Sequence, residues 1–225
     1  NITGGEGNTS AGNNKITIKG DIITAQNRSG NIIGGKSSSG NASNNEIEIE
    51  GNISAGTTIT GGNAKTEAGN NAKTIKKGDI NGIIIGGKSE TSTATGNAIQ
   101  IDGNVSAGTT ITGGDAKTEA NDNNISVSGN VVGSIIGGKS SGGSATQNDI
   151  FVAGSVDGNV TGGIGKSHAD SNAIKISGNV SGDVIGGESK TGSATQNSIW
   201  ILGNSSGHII GGKTDSGSAS NNTIN

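Results

Sequence analysis

The chain has 225 residues, of which 44 are Gly and only two are aromatic, one Trp and one Phe; Pro, Cys, Met and Tyr are missing. Such a composition excludes a core built on large rings, and with it disulfides, thiolate metal sites and thiol nucleophiles. The net charge of −3 is spread over both signs, which speaks against a nucleic-acid partner, and no apolar run nears the roughly 20 residues needed to span a bilayer, so no membrane insertion by this segment is expected.

Read from its first residue, the chain declares a repeat. Gly-Gly pairs fall at Gly4, Gly34, Gly61, Gly86, Gly113, Gly137, Gly162, Gly186 and Gly211, at successive spacings of 30, 27, 25, 27, 24, 25, 24 and 25. A second marker, Ala-x-x-Asn, recurs in phase and ends at Asn14, Asn45, Asn71, Asn97, Asn123, Asn148, Asn172, Asn197 and Asn222. Periods of this length belong to solenoids. After each Asn an alternating segment usually follows, such as Ile16-Thr17-Ile18, Ile47-Glu48-Ile49 and Ile174-Lys175-Ile176, which is strand periodicity. A Gly followed by Asn, Asp or Ser closes that strand, and from the second repeat onward an aliphatic residue stands two before each Gly-Gly: Ile32, Ile59, Ile84, Ile111, Ile135, Val160, Val184 and Ile209.

One repeat is thus two or three short strands with Gly and Asn corners, and no segment is long enough and free enough of Gly to be a helix. A single unit has nothing to cover its apolar face. Stacked units cover one another's, each strand pairing with its copy at about 4.8 Å, so the expected fold is an all-β parallel β-solenoid (β-helix) of about 25 residues per rung in eight to nine rungs. The recurrent Asn residues are expected to form a structural ladder between rungs. Residues 1–225 read as a single repeat domain, and the absence of Met points to a segment of a longer chain.

Outward positions carry further expectations. Lys15 and Lys19 fill the slots taken one repeat later by Glu46 and Glu50, so stacked copies attract. The residue after Gly-Gly runs Lys36, Asn63, Lys88, Asp115, Lys139, which suggests a two-rung unit. A protruding loop is expected around Gln26, Asn27, Arg28 and Ser29, and a one-residue shift with a bulge at Lys73-Thr74-Ile75.

Several motifs lack their context. G-x-x-x-x-G-K-[ST] matches four times, from Gly30, Gly82, Gly133 and Gly207, but the interior of each match is a solenoid strand with no helix to follow, so no nucleotide is expected. Gly4 to Thr9 and Gly162 to Ser167 approach a calcium-binding nonapeptide but lack its Asp. No carboxylate pair converges, His168 and His208 show no orienting partner, and no catalytic residue, metal or cofactor is expected. Thr57, Thr58, Thr60, Thr109, Thr110 and Thr112 suggest a threonine array on alternate rungs only.

One feature stands apart. Phe151 and Trp200 occupy the outward slot held elsewhere by Thr17, Glu48, Gln100, Ser126 and Lys175, which places the two rings two rungs apart on one face with Lys175 between them. With Ala153 and Leu202 they form the candidate contact patch, suited to a sugar ring, a neighbouring rod or a flanking domain; two rings that merely cover their own strands are the plainer alternative.

The segments Ile135 to Asn148 and Val184 to Asn197 resemble the Gly/Asn-rich passenger repeats of bacterial autotransporter adhesins, and the resemblance covers the whole chain. It implies a right-handed parallel β-helix on the bacterial cell surface, extracellular, serving as a stalk or adhesive rod toward host or surface glycans or proteins. The alternative is a self-assembling filament subunit that contacts its own copies end to end or side by side. A polysaccharide-active β-helix enzyme ranks last, because no site supports it.

Overall fold

The computed structural model describes residues 1–24 and 29–225. Among the described residues there are nineteen strands and no helix, and every strand pairing is parallel. The strands fall into two sheets, one of ten strands and one of nine, alternating along the chain except at Val156–Asp157 and Val160–Gly165, which follow one another in the ten-stranded sheet; strands inside each sheet are bonded to their copies one turn earlier and one turn later. A third, thinner ladder of single bridges joins Glu67, Thr93, Glu119, Ser144, His168 and Ser193. The solenoid of about eight turns, roughly 25 residues apart, is therefore present as expected.

The core follows from the alternation of side chains along each strand. Ile47 and Ile49, Ile99 and Ile101, Ile125 and Val127, and their later copies point inward from the nine-stranded sheet. Ile59, Ile84, Ile111, Ile135, Val160 and Val184, two before each Gly-Gly, meet them from the ten-stranded sheet and are fully buried. A second inward column, Ile53, Ile80, Val105, Val131, Val156 and Val180, completes one continuous cluster.

The Gly-Gly pairs and the Asn column form one device. A methyl group on Gly86 would stand 1.8 Å from the Gly113 carbonyl oxygen and 2.7 Å from Cβ of Asn97, while one on Gly87 would stand 2.0 Å from the Ala68 carbonyl oxygen. The pair is bare so that the Asn side chain can lie against it. The residue before each ladder Asn, from Asn13 through Gln147 to Asn221, has φ between 53° and 65°, the left-handed corner that turns the chain into the next strand. Asn, Asp and Gly tolerate that corner readily.

The two-rung unit has a structural cause. Strands Ile53–Ala64 and Val105–Ala116 are 12 residues long where Ile80–Ser89 has 10, and the register jumps between Ile53 and Thr57 against Ile80 and Gly82. The extra residues include Gly56 and Gly108, at φ 80° and 84°. One outward column alternates accordingly: Ile33, Thr60, Ile85, Thr112, Ile136, Thr161. Its threonines are only 5–8% exposed between their larger neighbours, so they present no open array.

Two expectations need correction or fall outside the description. The loop expected at Gln26, Asn27 and Arg28 lies outside the described residues. At Lys73-Thr74-Ile75 there is no shift and no bulge: strand Ala72–Lys76 keeps strict register with Glu46–Glu50, and Lys73 stands in the inward slot of Ile47. Slipping the strand by one residue would turn all its side chains to the wrong face, including Ile75, which is 2% exposed. The chain buries a lysine instead.

Candidate functional site

The Asn ladder is continuous. Nδ2 of Asn14 donates to Oδ1 of Asn45 at 2.8 Å, and the same bond recurs at 2.9–3.1 Å through every member to Asn222. Each Oδ1 from Asn45 onward also accepts the backbone N–H of the preceding ladder Asn, as from Asn97 to Asn123 at 3.1 Å. Asn45 through Asn197 are at most 1% exposed. No buried side-chain nitrogen or oxygen among the described residues lacks a hydrogen bond. The ladder is architecture: its amide oxygens and nitrogens are engaged with one another in the buried interior.

A second, exposed row was not foreseen, although the Gly-Asn and Gly-Asp corners signalled it. Here the bonds run the other way: the backbone N–H of Asp79 donates to Oδ1 of Asn52 at 2.8 Å, that of Asn130 to Asn104 at 3.0 Å, and that of Asn204 to Asn179 at 2.8 Å.

Among the described residues Lys73 is the one fully buried lysine. Its Nζ donates to the Gly86 carbonyl at 2.7 Å, and the bare Cα of Gly61 makes room for it. Burial without an acidic partner lowers its pKa to about 7. It is sealed from solvent, so it offers no reactive amine to a substrate. The exposed charges pair between turns, Lys15 with Glu46 at 2.8 Å and Lys76 with Glu48, and in both lysines the carboxylate hydrogen bond raises the pKa.

Both histidines do have orienting partners, contrary to expectation. Nδ1 of His168 lies 2.8 Å from Oγ of Ser193, whose hydroxyl is 2.6 Å from the Asp170 carboxylate; Nδ1 of His208 lies 3.1 Å from Asp183. The backbone N–H of His208, followed by its ring, holds the Asp183 carboxyl below the usual range. The His168 cluster contains the three residue types of a hydrolytic triad in the wrong order. Ser193 stands between His and Asp, its proton directed to the carboxylate, so the imidazole is not placed to be polarised by Asp170 while it deprotonates Ser193. Asp170 further accepts the backbone N–H and hydroxyl of Thr195, which identifies it as a corner brace. No group of three or more His, Asp or Glu side chains is gathered among the described residues.

The candidate patch is brought together. Phe151, Lys175 and Trp200 stand in register on three consecutive turns, and Nζ of Lys175 lies 5.8 Å from the centroid of the Phe151 ring. Ala153 and Leu202 occupy the next outward column, with Ser177 between them, each bonded by its N–H to the preceding turn. Trp200 is 49% and Leu202 60% exposed, which puts them among the most exposed large apolar side chains described. Asp149, Ala173 and Ser198 flank the rings on the other side. Around the corner, on the same turns, runs an open groove of about 510 Å³ with Val156 and Val180 in its lining beside Asp157, Ser181 and Ser206.

The charges on this face are segregated. Its first four turns carry Lys15, Lys19, Glu46, Glu48, Glu50, Lys76 and Asp102, whereas the turns bearing the rings hold Asp149 and Lys175 among Ala and Ser. Comparison with protein-family models, with curated proteins and with solved structures finds no match to this chain.

Proposed function

We propose that this chain is a non-enzymatic structural and adhesive rod of the bacterial cell surface, similar to autotransporter passengers, in which the solenoid is a stalk and the Phe151–Trp200 face makes contact. The observation that carries this reading is the exposure of Trp200 and Leu202 on the later turns of one flat face, with Phe151 half-buried two turns earlier in the same column as Trp200, against a scaffold whose polar interior is consumed in holding turn to turn. The side chains that hold turn to turn are buried in the core or hydrogen-bonded to their neighbours; Trp200 and Leu202 are neither.

The test is twofold. Antibodies raised against the chain should label intact, unpermeabilised cells of the producing organism, and labelling only after permeabilisation would defeat the surface assignment. Electron microscopy of the purified protein should show discrete rods; continuous filaments joined end to end would favour the self-assembling alternative.

A further inference from the structure

We infer that the Phe151–Lys175–Trp200 column is a platform for an extended β-1,4-linked glycan lying along the solenoid axis. The inference rests on the adhesive reading above and specifies its ligand. The geometry is one of matched periods. Successive turns of a parallel sheet advance by about 4.8 Å, so the two rings are roughly 10 Å apart. An extended β-1,4-linked pyranose chain advances by nearly one turn per sugar and presents the same ring face at every second sugar. The exposed Trp200 ring would receive one apolar sugar face and the half-buried Phe151 ring the next but one, the Lys175 amine that now lies over Phe151 swinging out to the hydroxyls of the sugar between them. A coiled α-linked chain has no such repeat.

Three further observations favour this occupant. The neighbours Ala153, Ala173, Ser177 and Ser198 are small, so Trp200 stands proud of a face that a straight polymer can follow down to the half-buried Phe151. The patch is also small and linear, whereas a stable protein interface needs on the order of 800 Å² from each partner. Finally, on this face the ring-bearing strands hold one acid and one base, Asp149 and Lys175, which suits a neutral, hydroxyl-rich ligand better than a polyanion.

Trp200 is the only Trp, and there is no Tyr, so intrinsic fluorescence excited at the indole reports on this site alone. Titrating the intact chain with cellohexaose and chitohexaose should give a saturable spectral change with at least one of them, and maltohexaose should give none. By calorimetry, Trp200→Ala should weaken binding about tenfold or more, the loss expected of one stacked ring, and Phe151→Ala should weaken it while keeping the fluorescent reporter. Circular dichroism confirms that both variants are folded. The inference is overturned if neither β-linked oligosaccharide produces saturation, if maltohexaose binds equally well, or if folded Trp200→Ala binds undiminished. Failure of every glycan together with Trp200-dependent adhesion of the rod to cells would remove the glycan and leave the adhesive reading standing.

Discussion

Lys73 reaches through the core to the Gly86 carbonyl one turn along, a 2.7 Å bond made from a column that is Ile in the turns immediately before and after. Burial is the sole cause of its lowered pKa, about 7 against an ordinary 10.5. Because the native amine is the weaker base, the unfolded chain binds more protons between pH 7 and 10.5, and the native state gains stability as pH rises through that window. As pH falls toward 7 this stability is lost, at about 1.4 kcal/mol per pH unit at most. Lys73→Ile should therefore melt higher than the parent at pH 7, and the gap should narrow by pH 10. Calorimetric melts of both proteins across that range check the sign; a constant gap would refute it.

Asn123 accepts two bonds from Asn97 through a single oxygen. Asn123→Ala should leave both buried donors without partners and cost about 2–4 kcal/mol, measurable by urea unfolding. Asn123→Asp should cost at least as much, since it keeps the acceptor but loses the donor to Asn148 and buries a charge.

Gly86→Ala should abolish folding or confine it to the cold, because the new methyl would fall 1.8 Å from a backbone oxygen that the neighbouring turn holds in place. Ser126→Ala, on the outward face, should be within about 0.5 kcal/mol of the parent. Far-UV circular dichroism and soluble yield separate the two.

Ile135→Asp should destroy the fold by placing an unpaired carboxylate at a fully buried site, whereas Trp200→Ala should leave the melting temperature nearly unchanged. Loss of structure in the Trp200 variant would contradict its outward placement.

Much of this was legible in the sequence because a solenoid repeats its physics every turn. The Asn column, the inward aliphatics and the ring pair could each be read from spacing alone, and they stand in the expected registers. What escaped was whatever breaks the pattern or closes across it. Lys73 looked like a slipped strand, since a polar residue in an apolar column suggests a shift; yet a slip would forfeit the strand's ladder bonds and turn Ile75 outward, and an amine can shed its proton instead. The partners of His168 and His208 lie about 25 residues away in sequence, and only stacking brings them together. The two-rung alternation was visible, but its cause, the longer strands with Gly56 and Gly108, was not.

The buried asparagine amides all point the same way, each N–H toward the following turn. Peptide dipoles aligned in a helix add to a macrodipole, while those of a sheet largely cancel. The asparagine column restores to this all-β rod what its sheets lack, an axial electric polarity directed toward the later turns and sheltered from solvent; the opposing outer row lies in water, where it is screened. Two such rods lying side by side would lower their energy by running antiparallel, and two in line by running parallel, so the column gives the rod a direction that a neighbour could sense without touching an end.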